Sequence, residues 1–365
     1  MHSARIISEF NRKEPGQYIF TAIAGQRSAA EGAGIFADVC LESSIGLIEG
    51  ARHIRSAYAL KRALNKYLAQ NPPDLFLCID GQGRNLVFGA AAQRMGIPSA
   101  YFFPPDVFLW GKWNITKLKK YDVLLCPIEP NQHALAAHGA NAVYTGHPFS
   151  VFPDTYDKAL CKKKMGFSSD TKILAIFSGS RLQEINSLTD VFIRAAALVM
   201  RSQPGVKAVC VPAHPEYGQI IKKKICENGA DIQIVHACAD EVLMASDISL
   251  AASGTITLQS ACYGVPCIIC YKISRLSYLA AKYILGIKKI GLPNILSGEN
   301  LFPELINSAC TAPACAEKIS ALLKDAHAYE NLRTRLVALK NKIGNGRTYE
   351  VVHQEIRKVL DNRKK

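Results

Sequence analysis

Apolar and polar positions along the chain follow two rhythms. Short apolar runs recur with hardly a polar interruption: Leu75-Phe76-Leu77-Cys78-Ile79, Ser99-Ala100-Tyr101-Phe102-Phe103, Val123-Leu124-Leu125-Cys126 and Ile173-Leu174-Ala175-Ile176-Phe177. A run of that length with no polar alternate predicts a strand covered on both faces. Between the runs, apolar residues spaced three or four apart predict helices over 54–68, 85–95 and 131–138. Tyr18 to Ile23 reads as an earlier strand, Gly146-His147-Pro148 ends the first series, and 149–157 reads as a linker. A second series follows: strands at 173–177, 206–211, 232–235, 248–250 and 266–270, with helices at 184–201, 216–228 and 256–263. The last 50 residues read as helices. Regular alternation of strand and helix predicts an α/β protein with parallel sheets and helices on both faces. Two such halves would leave a cleft, where open α/β sheets bind ligands.

Two turns in the second half carry candidate chemistry. Gly179-Ser180-Arg181 follows the run 173–177, and Ser253-Gly254-Thr255 follows Ile248-Ser249-Leu250. Each sits between a strand and a helix, where free backbone N–H groups and the helix dipole favour an anion. The pair points to a diphosphate, with the fork of donors on Arg181 added to the same anion. Glu184 either orients Arg181 or serves as an acid at a helix N-terminus. Asn294, in Leu292-Pro293-Asn294-Ile295-Leu296, has an amide suited to a base or sugar. In the first half, Asp80 ends a predicted parallel strand and precedes Gly81-Gln82-Gly83-Arg84-Asn85. That is a ligand position and suits a general base; an ordinary helix cap is the competing reading.

Charge adds a further constraint. The 365 residues hold 44 Lys and Arg against 30 Asp and Glu, a formal charge of +14 that implies an anionic partner. From Ala316 to Lys365 the net charge is +6. Both tryptophans lie in the loop Pro104 to Trp113, where Phe108, Trp110 and Trp113 adjoin Lys112, Lys117, Lys119 and Lys120. Such a loop fits an anionic lipid or a membrane interface, or else its aromatics cap the local core. Arg275 to Lys289 also mixes apolar and cationic residues. No nucleic-acid motif accompanies the charge. No run of about 18 apolar residues is present, and the first residues lack a signal core, so a cytoplasmic location is expected. The 12 cysteines fit that compartment as buried thiols. Cys267 and Cys270 have C-x-x-C spacing within a strand but no second pair, so no metal is expected.

Taken in order, these segments resemble the lipid A disaccharide synthase family of glycosyltransferases. The resemblance rests on Ala24-Gly25-Gln26-Arg27 with Ala30-Glu31-Gly32, Ile79-Asp80 with Asn85, Pro104 to Trp110, and Gly146-His147. It continues through Gly179-Ser180-Arg181 with Glu184-Ile185, Ala245-Ser246-Asp247, Ala252-Ser253-Gly254-Thr255, Gly264-Val265-Pro266 and 292–296. It implies two Rossmann-like domains facing across a cleft, the GT-B arrangement. The domains expected are 1–150 on the acceptor side, 151–342 for the UDP-sugar, and a basic C-terminal helix over 343–365. The implied reaction moves 2,3-diacylglucosamine from UDP to the 6-hydroxyl of 2,3-diacylglucosamine 1-phosphate, giving a β-1,6 disaccharide and UDP. Asp80 falls at the family's essential aspartate and Arg181 at its essential arginine. Gly179, Ser180, Glu184, Ser253, Gly254, Thr255, Gln259 and Asn294 are then expected on the donor. Phe108, Trp110, Lys112 and Trp113 are expected on the lipid acceptor. The resemblance implies no cofactor or metal, a peripheral position on the inner face of the cytoplasmic membrane, and admits a homodimer.

The chain departs from the family at three places. The family opens with a strand and a Gly-Glu-Ala-Ser-Gly-Asp turn, and Met1-His2-Ser3-Ala4 lines up just after it; a misassigned start codon is the expected reason. Gln259 stands where the family has a glutamate for the ribose hydroxyls, losing the charge-assisted bond. Gly83-Arg84-Asn85 and Ser178-Gly179-Ser180-Arg181 replace Asp-Phe-Asn and Pro-Gly-Ser-Arg. The alternatives these departures leave are a transferase with another acceptor, an epimerase-like enzyme, or a non-catalytic binder of UDP-sugar or anionic lipid.

Overall fold

A computed structural model describes residues 1–38, 50–109, 111–152, 155–272 and 289–362, with backbone alone for 50–57 and 82. The chain forms two compact units, one of Met1–Val151 with Ile343–Lys365 and one of Phe152–Lys342.

The first unit opens with α1 (His2–Lys13), β1 (Thr21–Ile23), α2 (Gln26–Ala30), β2 (Gly34–Ala37) and α3 (Gly50–Gln70). It continues with β3 (Phe76–Ile79), α4 (Gln82–Arg94), β4 (Ser99–Phe102), α5 (Ile115–Leu118), β5 (Val123–Cys126), α6 (Glu129–Ala137) and β6 (Ala142–Tyr144). Strands β1 and β2 pair by themselves, and β3-β4-β5-β6 form a parallel sheet in sequence order. Because side chains alternate along a strand, the apolar runs divide between two cores. Tyr101, Leu124 and Cys126 join Leu118 and Leu135 on one face. Ala100, Phe102, Val123 and Leu125 join Ile6, Phe10, Val352 and Ile356 on the other. The second face is therefore closed by the first helix and the last one, which the chain reaches only after completing the second unit.

The second unit holds α7 (Lys158–Lys164), β7 (Lys172–Phe177), α8 (Leu182–Ser202), β8 (Val206–Cys210), α9 (Tyr217–Glu227) and β9 (Ile232–Ile234). Then come α10 (Ala239–Ala245), β10 (Ile248–Ala252), α11 (Thr255–Cys262), β11 (Cys267–Tyr271), α12 (Leu292–Ser297), β12 (Glu304–Ile306), α13 (Ala312–Lys324) and α14 (Ala326–Lys342). Helix α8 buries Ile185, Leu188, Phe192, Ala196 and Val199, the three-and-four spacing of one apolar face. Asp157 caps α7 by accepting from the Leu160 amide at 2.9 Å. The sheet order is β12-β11-β10-β7-β8-β9, all parallel. The order runs outward in both directions from β7 and β10, so the topological switch point lies between these two strands. The last helix, α15 (Thr348–Asp361), returns to the first unit. Its Arg357 pairs with Glu14 at 3.2 Å, so part of the basic C-terminal segment serves to seat this helix.

Candidate active site

Asp80 stands just beyond β3, exposed and with φ +53°. A left-handed backbone is costly for a non-glycine residue and is held only where neighbours enforce it. Three contacts do so. The Asp80 amide donates to Phe102 O at 2.9 Å. Its main-chain oxygen accepts from Asn85 Nδ2 at 2.5 Å and from the buried Tyr101 hydroxyl at 3.0 Å. Asn85 also donates to Ile79 O at 2.8 Å. Phe103, after the adjacent strand, has the same backbone hand at φ +58°. In register it would sit beside Asp80, since Ile79 pairs with Phe102.

Beyond Phe103 the loop is tied down by Asn131, buried on α6. Its Oδ1 accepts from the Val107 amide at 2.8 Å and its Nδ2 donates to Pro105 O at 3.2 Å. This loop carries Asp106, whose carboxyl is pushed up to about 6 by burial and by the negative charge of Asp80. The sequence reading passed over Asp106 in favour of its aromatic neighbours. The available signal was the one used for Asp80, a carboxylate just past the carboxyl end of a parallel strand.

Of the expected lipid contacts, Phe108 is half-buried, while Lys112 and Trp113 are exposed, Trp113 at 70%. Trp110 lies outside the described residues, as does 273–288, most of the second basic and apolar segment. A groove of about 780 Å³ runs along α4, floored by Leu86, Val87 and Ala90 and rimmed by Lys61, Arg94, Lys117 and Lys120. The sequence gave no direct sign of this groove, since its cations come from three separate elements.

His147 is buried at the end of the first strand series. Its Nδ1 accepts from the Phe149 amide at 3.2 Å, which places the ring proton on Nε2. Burial pushes its pKa down to about 3. The preceding Gly146 has φ +72°, and a Cβ there would meet the Gly344 backbone at 3.2 Å. The Gly-His pair thus allows the chain to cross closely over the segment that returns at Gly344.

In the second unit, Phe177 pairs with Ala251 in register. The two expected turns therefore leave neighbouring strands at the switch point. The first is already filled by its own carboxylate. Glu184 Oε2 accepts from the amides of Ser180 at 2.9 Å and Arg181 at 3.3 Å, and Oε1 pairs with Arg181 Nη1 at 3.1 Å. Glu184 thus occupies backbone donors that the sequence reading offered to a diphosphate. Arg181 remains 73% exposed, and a guanidinium has donors to spare. Gly179, at φ +117°, is required here because a Cβ would fall 2.5 Å from Glu184 Cβ. At the second turn Gly254 and Thr255 are exposed, and a Cβ on Gly254 would meet nothing within 4 Å. Ser253 is committed, its Oγ donating to Ile290 O at 3.2 Å.

Two of the residues expected on the donor have their amide protons engaged within the protein. Both Nδ2 protons of Asn294 are used, to Phe302 O and Glu304 Oε1, each at 2.8 Å, and its Oδ1 accepts from the Phe302 amide at 2.8 Å. Buried at 1% exposure, Asn294 ties a loop together rather than presenting an amide to a base or sugar. Gln259 donates through Nε2 to Asp240 Oδ1, which turns its amide proton towards a protein carboxylate. Asp240 lies in the first turn of α10, a helix the sequence pattern did not predict.

Comparison with known proteins places the chain in a family. The family model for lipid-A-disaccharide synthetase matches residues 1–356. The chain belongs to that family. The lipid-A-disaccharide synthase of Geobacter metallireducens is 27% identical over 351 residues, covering 95% of this chain and 90% of its own. Among solved structures, a UDP-GlcNAc 2-epimerase from Neisseria meningitidis, bound to UDP-GlcNAc, has a TM-score of 0.66 at 12% identity, covering 98% of this chain and 97% of its own. The calicheamicin glycosyltransferase CalG4 has a TM-score of 0.61 at 13% identity, covering 98% and 94%. These likenesses establish the two-Rossmann, GT-B class of fold. Family membership makes the protein a hexosyltransferase of lipid A disaccharide synthesis, with a UDP-sugar donor and a lipid acceptor.

Proposed function

We propose that Asp80 is the general base of this transfer and Arg181 the electrostatic partner of the leaving diphosphate. The observation that carries the assignment is the backbone of Asp80, left-handed at φ +53° and bonded through its own main-chain groups to Phe102, Tyr101 and Asn85. That arrangement commits the backbone and leaves an exposed carboxylate at the carboxyl end of a parallel strand. The base takes the proton from the acceptor's 6-hydroxyl as the oxygen attacks the anomeric carbon and UDP departs from the opposite side. One in-line displacement inverts the anomer, which accounts for a β-linked product.

On the donor, Arg181 answers the charge that grows on the diphosphate. Glu184 holds its guanidinium in place, while the exposed first turn of α11 at Gly254 and Thr255 gives a second anion contact. Gln259 meets the ribose through its amide oxygen, its Nε2 being held by Asp240. Phe108, Lys112 and Trp113, with the cation-rimmed groove along α4, receive the lipid and lean on the inner face of the cytoplasmic membrane. Among the described residues no helix is long and apolar enough to cross a membrane.

The test is kinetic. Asp80→Asn should lower kcat by roughly 10²–10⁴-fold while UDP still binds by calorimetry. Arg181→Ala should lower kcat/KM for the UDP-donor. Unchanged turnover in Asp80→Asn removes the base assignment, and unchanged donor kinetics in Arg181→Ala removes the other.

A further inference from the structure

Three cysteines from separate places in the sequence meet inside the second unit. Cys270 on β11 has its Sγ 3.6 Å from that of Cys315, and these two sulfurs and that of Cys310 all lie within 4.8 Å of one another. All three residues are at most 2% exposed. Part of this is ordinary helix capping. Thr311 is the N-cap of α13, its Oγ1 accepting from the Ala314 amide at 3.3 Å. Cys310 and Cys315 then fall at the two positions that commonly pack together across a helix start. That motif does not account for the third sulfur, which arrives from the sheet 40 residues before Cys310.

We propose that Cys270, Cys310 and Cys315 form a site for a thiophilic divalent cation of the zinc class, clamping β11 to α13. Metal–sulfur bonds of about 2.3 Å in tetrahedral geometry set sulfur–sulfur edges of about 3.8 Å, so the spacing seen needs only small closing movements. Thiolate donors select soft or borderline cations over magnesium or calcium. Binding exchanges three thiol protons for the cation and leaves a net charge of −1. The N-terminal end of the 13-residue α13 offsets that charge. Cys267, the other half of the C-x-x-C spacing, is not among the three. Three residues apart on one strand, Cys267 and Cys270 point to opposite faces, so only Cys270 meets the other two.

The experiment titrates the full chain, reduced and stripped of metal, with Cd²⁺ while following sulfur-to-cadmium charge-transfer absorption. The expected result is a band that saturates at one equivalent. Cys310→Ser should weaken the binding at least tenfold, whereas Cys267→Ser and the exposed pair Cys226→Ser/Cys238→Ser should leave it unchanged. A missing band, or a band lost only in the exposed pair, overturns the proposal. Should Cys310→Ser fail to fold, the wild-type chain decides the matter by pulsed alkylation in mild urea with and without Zn²⁺. Zinc should slow labelling of Cys270, Cys310 and Cys315 but not of the equally buried Cys210 and Cys267. Equal slowing at all five sites means general stabilisation and rejects the site.

Discussion

Asn85 donates its side-chain amide to the main-chain oxygen of Asp80 at 2.5 Å. The same Nδ2 reaches Ile79 O, so one side chain on the first turn of α4 holds the last strand residue and the strained residue after it. Asn85→Ala should release Asp80 from its left-handed backbone. A drop in kcat of about tenfold or more with little change in donor KM is expected, since positioning errors act on the reacting step. Urea unfolding should show a loss of about 1–3 kcal/mol from the unpaired carbonyls. A stability loss with kcat intact would make Asn85 structural only.

Gly179 and Glu184 make a second such pair. Gly179→Ala adds a methyl group 2.5 Å from Glu184 Cβ on a backbone at φ +117°. Strain of that kind costs about 1–3 kcal/mol, and Glu184 must also leave the amides of Ser180 and Arg181. Thermal melts should show the double variant Gly179→Ala/Glu184→Ala less destabilised than the sum of the two single changes, because the clash is shared. Simple additivity would show that the two residues do not communicate.

Acid stability follows from two kinds of buried group with opposite signs. His147 and His2 are held neutral by burial, their pKa values pushed down to about 3 and about 4 from 6.5. Between those values and 6.5 the unfolded chain binds protons that the native one refuses. Stability is therefore lost as pH falls through this window, by at most about 1.4 kcal/mol per pH unit for each group. Asp106 works the other way. With its pKa raised to about 6 from 3.8, the native state keeps a proton that the unfolded state gives up, so stability is lost as pH rises from about 3.8 to about 6 and is level above that. Asp106→Asn should raise Tm at pH 8 and leave it near wild type at pH 4. A lower Tm at pH 8 would contradict the burial argument.

The groove along α4 gives a membrane prediction. Lys117→Glu/Lys120→Glu reverses two of its four rim cations. Flotation with phosphatidylglycerol vesicles should fall severalfold, with little change on phosphatidylcholine, and wild-type binding should weaken with salt. Binding that ignores both salt and the double change would leave no role for the groove's charge.

Much of this protein was legible in its sequence. Apolar runs such as 173–177 and 123–126 marked strands covered on both faces, and α8 declared itself through the spacing of Ile185, Leu188 and Phe192. The order of short motifs carried the family, and the expected positions of Asp80 and Arg181 just past strands match β3 and β7. Local sequence dictates these features, because side-chain periodicity and turn chemistry act over a few residues. Other features depended on contacts between distant positions. Glu184 filled the amides of its own turn, Asn294 spent its amide on Phe302 and Glu304, and Asp240 engaged Gln259. The helix Thr348–Asp361 returned to cover the first sheet beside Ile6 and Phe10, and Cys270 met Cys310 and Cys315 rather than pairing with Cys267. A sequence motif states which donors and acceptors exist; the tertiary structure decides which are already satisfied, because a buried polar group takes whichever partner the fold brings within about 3 Å.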